Sequence, residues 1–123
     1  MNIKFVFGVL CGLLICMFMI LFIYSLINTY SLLIKRRGYI MDNRAKDIVR
    51  DYIIAHLDKS DPEPSFVVYI VWKSKILDHW KYMVSSSLYD GMYYEVTYNG
   101  IKKEWYLDAY KKFENVKIPE EIK

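Results

Sequence analysis

Beyond residue 16 the chain has no cysteine, because Cys11 and Cys16 both lie in an apolar stretch near the N-terminus. The remaining residues therefore hold no thiol that could form a disulfide, bind zinc or attack a substrate. Neither cysteine follows the small-residue pattern of a lipoprotein signal, and no lipid attachment is expected. Glycine is scarce, with five in 123 residues, and none sits in a phosphate-cradling loop. There are two histidines, His56 and His79, and no cofactor or metal is expected. A basic excess is missing too, since residues 41–123 carry 13 basic and 14 acidic side chains. A nucleic-acid binder keeps such an excess to neutralise phosphates, so no nucleic-acid partner is expected.

What is present is a charge-free run of 23 residues from Phe5 to Ile27, interrupted only by Gly8, Gly12, Tyr24 and Ser25. As a helix it measures about 34 Å, enough to cross a hydrocarbon core of roughly 30 Å. It is longer than a secretory h-region and no small-x-small cleavage site follows, so retention as a signal-anchor is expected. Asn28 to Ser31 form a polar step at headgroup depth, followed by Leu32-Leu33-Ile34 and the basic cluster Lys35-Arg36-Arg37, placed at the membrane edge. These charges, with Arg44 and Lys46, favour a cytoplasmic C-terminal domain. Gly8 and Gly12 form a Gly-x-x-x-Gly pair through which two membrane helices could pack as a homodimer.

The boundaries drawn are an anchor with its basic flank at 1–37, a small α+β domain at 38–118 and a tail at 119–123. About 80 residues allow one domain whose aromatics, Tyr52, Phe66, Tyr69, Trp72, Trp80, Tyr82, Tyr94 and Trp105, substitute for disulfides. Asp42 or Asn43 is placed to cap an amphipathic helix carrying Ala45, Ile48, Val49, Tyr52 and Ile53 at spacings of three and four, ending near Asp58. Pro62 and Pro64 mark a loop over 58–65.

The β-rich run Phe66–Trp72 reads as a buried strand, central in its sheet. Residues 74–89 fit a helix or a strand, and the strand is preferred because it completes a meander. Residues 92–98 alternate, with Met92, Tyr94, Val96 and Tyr98 on one face. Asn99-Gly100 supplies two positive-φ positions for a tight turn, after which Ile101, Lys103, Trp105, Leu107 and Ala109 oppose Lys102, Glu104, Tyr106, Asp108 and Tyr110. The expected architecture is a transmembrane helix, then one amphipathic helix packed on a four-stranded antiparallel sheet.

The stretch Tyr94 to Tyr110 resembles the closing hairpin of PepSY-type domains, where a Glu-Val strand precedes a strand ending in an aliphatic-Asp-Ala step. The helix at 44–57 is similar to theirs, and small cystatin-like membrane-anchored proteins of Gram-positive bacteria resemble the layout equally. Where that family has a Thr-Gly turn after Asp108-Ala109, this chain has Tyr110-Lys-Lys-Phe113. The resemblance implies a non-catalytic domain that binds or restrains a partner protein, commonly outside the cell, which opposes the charge argument and tips the orientation outward.

Chemistry is sparse. Asp78-His79 could orient an imidazole for base catalysis, but neighbours in a strand point to opposite faces. His56 suits the negative end of a helix. Ser85-Ser86-Ser87 lacks a nucleophile elbow, and Glu120-Glu121 falls in the tail. The candidate protein-binding face is Tyr93, Tyr106 and Tyr110 with Lys102 and Glu104, since exposed tyrosines offer rigid amphipathic contact area. The alternative for that surface is cover by residues 113–118 or by the helix. The function expected is a non-enzymatic, single-pass membrane-tethered binding module that modulates a protein partner at the bacterial cell envelope. A second reading is an immunity or exclusion protein against a toxin, bacteriocin or mobile element. A third is a sensor or enzyme using Asp78 and His79.

Overall fold

The computed structural model describes residues 2–59, 62 and 64–120. It has the α+β order expected, with helix α1 (Ile3–His56) followed by strands β1 (Val68–Ile76), β2 (His79–Ser86), β3 (Met92–Asn99) and β4 (Glu104–Lys111). All neighbouring strands are antiparallel and the sheet order is β1-β2-β3-β4. The chain divides into two compact units, 1–40 and 41–123.

In the first unit the helix is apolar over the expected span, long enough to cross a membrane, and its large side chains from Ile3 to Ile40 are exposed. Asn28 to Ser31 do not interrupt it. Thr29 Oγ1 donates to the Ser25 carbonyl at 2.9 Å and Ser31 Oγ to that of Asn28 at 2.9 Å, so both hydroxyls are satisfied within the helix.

The separate amphipathic helix predicted to start at Asp42 or Asn43 does not exist as such. These residues lie inside α1 and cap nothing. No proline interrupts residues 3–56, and each added helical residue gains a hydrogen bond whereas stopping leaves four carbonyls without partners. The apolar spacing still does its work in the second unit, where Ala45, Val49 and Ile53 are buried in the core. The helix ends at His56, whose Nδ1–H donates to the Tyr52 carbonyl at 2.8 Å, serving the last turn as expected.

One sheet face supplies Val68, Trp80, Tyr82, Val84, Tyr94 and Val96 to that core, with Trp105 and Leu107 packed against it. Tyr82, Val84 and Val96 are fully buried, each side chain stabilising the fold by about 1.5–3 kcal/mol by burial alone. Residues 79–86 form a strand, as preferred, and 74–76 belong to β1.

The run from Phe66 to Trp72, predicted as central, instead enters β1 at the sheet edge. Val67, Tyr69, Val71 and Trp72 are exposed, and a bulge between Ile70 and Trp72 breaks the register. β2 and β3 occupy the centre because they pair on both sides. Burial inferred from β-propensity does not distinguish a central strand from an aromatic edge.

The β3–β4 hairpin forms with a longer turn than predicted. Asn99 pairs with Glu104, leaving Gly100 to Lys103 as the connection. The Asn99 carboxamide oxygen accepts from the Ile101 and Lys102 N–H groups, each at 3.1 Å, and the positive φ falls at Lys103, 56°. An asparagine that bonds the backbone ahead of it builds its own turn, with no need of the mirror-image geometry. Tyr94 consequently pairs with Ala109 rather than with Trp105. A shift of four positions preserves the two-residue side-chain period, so each β4 residue keeps its expected face.

Candidate interaction face

The register places Tyr69, Trp72, Ser74 and Ile76 of β1 beside Ser85, Met83, Lys81 and His79 of β2. Continuing across the sheet are Tyr93, Glu95, Thr97 and Asn99 of β3, then Tyr110, Asp108, Tyr106 and Glu104 of β4. These side chains form the outer face, opposite the one that receives Ala45, Val49 and Ile53. The bulge puts Tyr69 and Trp72, three apart in sequence, on the same side.

Tyr93 and Tyr110 stack with ring centroids 5.1 Å apart and planes 13° from parallel. They are 37% and 41% exposed, and Tyr106 is 44% exposed, so the surface is open. Neither alternative cover occupies it. Phe113, Val116 and Ile118 are themselves exposed, and the helix packs on the other face.

At the centre of the face Lys81 Nζ pairs with Glu95 Oε1, which raises the lysine pKa through the hydrogen bond and the carboxylate charge. The Tyr106 hydroxyl donates to Glu104 Oε2, and this bond raises its pKa. Glu95 raises that of Tyr110 in the same direction. All three effects reflect negative charge concentrated over β3 and β4, since neutral phenols and charged ammonium groups are both favoured beside carboxylates. Toward β1 the chemistry changes. A groove of about 230 Å³ is lined by Trp72, Ser74, Ile76, His79, Trp80, Lys81 and Thr97.

The structure thus brings together Tyr93, Tyr106, Tyr110 and Glu104, but not Lys102, which lies in the four-residue turn before the start of β4. Tyr69, Trp72 and Ile76 also belong to this face and were not expected on it. Their two aromatics were visible, but the bulge concealed their common face. Gly8 and Gly12 are open, with no atom outside their own helix backbone within 4 Å of a Cβ placed on either. Lys35 and Arg36 are exposed near the apolar run.

Asp78 and His79 both stand against Gly100. His79 Nδ1 accepts from the Gly100 N–H at 3.3 Å, so the nitrogen that base catalysis would use is engaged by the backbone. Asp78 belongs to the Leu77-Asp78 turn, where Leu77 takes φ 55°, and it does not line the groove. Its carbonyl and Cβ stand against Gly100, where an added Cβ would approach Asp78 Cβ to 2.6 Å. Ser86 and Ser87 serve the β1–β2 end of the sheet, and Ser85 lies on the outer face beside Tyr69. The Ser87 hydroxyl accepts from the Val67 N–H at 2.9 Å, and Ser86 lies buried. No metal-binding cluster occurs among the described residues.

A polar group also lies on the core side. Lys73 Nζ meets Asp42 Oδ2 at 2.7 Å, while Asp42 Oδ1 and the Tyr82 hydroxyl are buried without a hydrogen-bond partner among the described residues. Burial raises the Tyr82 pKa, and the Asp42 charge raises it further.

Residues 42–120 match the profile of DUF6275, a family of unknown function. The chain belongs to this family. No curated protein and no solved structure matches it. The DUF6275 match covers the last turns of α1, the whole sheet and the extended segment after β4, and so includes every residue of the outer face.

Proposed function

We propose that this DUF6275 protein is a non-enzymatic binding module, tethered to the cell membrane by a single pass, which modulates a partner protein through the outer face of its sheet. The observation that carries this reading is that face itself. Five aromatic residues, Tyr69, Trp72, Tyr93, Tyr106 and Tyr110, are exposed on one uncovered layer, in a fold whose other face is used for its core. Large rigid side chains lose little entropy when a partner covers them. The tether raises the local concentration of the module, so modest affinity is enough.

The orientation follows from charge. Lys35, Arg36, Arg37, Arg44 and Lys46 follow the span, against Lys4 before it, and positive residues are retained on the cytoplasmic side. The PepSY resemblance argues for the outside, and we propose the cytoplasmic side on the charges alone. Protease protection in sealed inverted vesicles reads this directly, with digestion of the domain expected and full protection excluding it.

Photocrosslinking in intact membranes tests the binding face. A photoreactive residue at position 72 or 106 is expected to give the same adduct, which a probe at exposed Ile54 does not form. Absence of any adduct specific to the two face positions would remove the basis for the proposal.

A further inference from the structure

The outer face is divided by chemistry along the direction that crosses the strands. On β1 it is largely apolar, with Tyr69, Trp72 and Ile76 beside Ser74, and the groove of about 230 Å³ is lined by Trp72 and Ile76. On β4 the side chains alternate between carboxylate and phenol, as Glu104, Tyr106, Asp108 and Tyr110. Lys81 is the one basic side chain of the strands on this face and is already paired with Glu95. That single lysine faces three carboxylates, Glu95, Glu104 and Asp108, so the face keeps an excess of negative charge, and Glu104 and Asp108 are both exposed. Strands lie about 4.8 Å apart, so the apolar groove and the carboxylate row are separated by roughly 10–15 Å, about the diameter of one helix. Sheet faces are normally completed by such a layer, as α1 completes the other side.

We infer that the partner presents an amphipathic helix with a basic flank, one large apolar side chain entering the Trp72 groove and lysine or arginine side chains meeting Glu104 and Asp108. This inference rests on the binding-face reading and adds the chemistry of the occupant. Charge complementarity selects it. An anionic bilayer surface is the other large apolar-binding partner at hand, and a face with excess carboxylate is repelled by it. Tyr106 and Tyr110 beside the carboxylates add ring faces suited to a guanidinium or ammonium.

The test uses the full chain in nanodiscs of neutral lipid. Fluorescently labelled 18-residue helical peptides are compared, one of leucine and lysine and one of leucine and glutamate with the same pattern, with binding to empty nanodiscs subtracted. The lysine peptide is expected to bind at least about tenfold more tightly, as charge complementarity sets specificity. Glu104→Lys with Asp108→Lys should reverse the preference, and Trp72→Ala should weaken the lysine peptide about tenfold. Equal binding of both peptides, still weakened by Trp72→Ala, overturns the basic-partner inference and leaves the binding face standing. Binding insensitive to all these changes overturns both. Quenching of Trp72 by brominated lipid in anionic nanodiscs, abolished by Trp72→Phe, would assign the face to the membrane and overturn the inference as well.

Discussion

Replacing Gly100 with alanine tests why that glycine is there. Its φ lies outside the left-handed range, and the positive values of this region belong to Leu77 and Lys103. The constraint is proximity. A Cβ at position 100 would strike the Asp78 carbonyl and come within 2.6 Å of Asp78 Cβ, at the point where the two outer turns of the sheet meet. Both obstacles belong to a tight turn already holding Leu77 at φ 55°, so neither can withdraw as a flexible side chain would. Overpacking of this kind costs about 1–3 kcal/mol. Parting the turns also weakens the 3.3 Å hydrogen bond from the Gly100 N–H to His79, worth about 1 kcal/mol. For a domain of this size a loss of roughly 2–3 kcal/mol lowers Tm by about 8–24 °C. Thermal unfolding of the detergent-solubilised chain, followed by near-ultraviolet circular dichroism, measures it. Asparagine separates the two explanations, because it tolerates positive φ but carries a Cβ. Gly100→Asn should be as damaging as Gly100→Ala, whereas Gly91→Asn should be mild, since Gly91 has φ 69° and its nearest neighbour to an added Cβ is 3.9 Å away. A Gly100→Asn protein that melts like the parent would refute the proximity argument.

Three further outcomes are expected. The folded state holds the Tyr82 proton above the ordinary value of 10.0, so that group's stabilisation is complete below about pH 10 and is lost as pH rises toward the folded value, at up to about 1.4 kcal/mol per pH unit; Tyr82→Phe should flatten the alkaline limb of the stability profile, and an unchanged limb would rule Tyr82 out as its source. The pair Asp42–Lys73 is partly exposed, at 23% and 48%, so a double-mutant cycle with Asp42→Asn and Lys73→Met should return a coupling of at most about 1 kcal/mol in urea unfolding. Exchanging Lys35, Arg36 and Arg37 for glutamine while adding three lysines before Phe5 should move the domain across the membrane in the vesicle assay, and unchanged protease accessibility would contradict charge as the determinant of orientation.

Much of the candidate face was legible because strand alternation is local. Tyr93, Tyr106, Tyr110 and Glu104 could be assigned to one side from residues 92–110 alone, and they remained there although the turn was two residues longer than expected. The error in turn length moved the register by an even number of positions, to which a period of two is blind. Lys102 was misplaced because the same error carried it out of the strand. Tyr69 and Trp72 were lost for the opposite reason, since a bulge inserts one residue and inverts the parity beyond it.

The run long and apolar enough to span a membrane, the lack of thiols in the domain, the absence of a basic excess and the pairing of β3 with β4 were all determined by the sequence alone. Each depends on composition or on residues close together in the chain. Tertiary structure decided that β1 lies at an edge and that Gly100 is required by Asp78. Those outcomes depend on which distant segments meet. Burial in a sheet is determined by neighbours on both sides, and no periodicity within one strand specifies whether a second neighbour will be there.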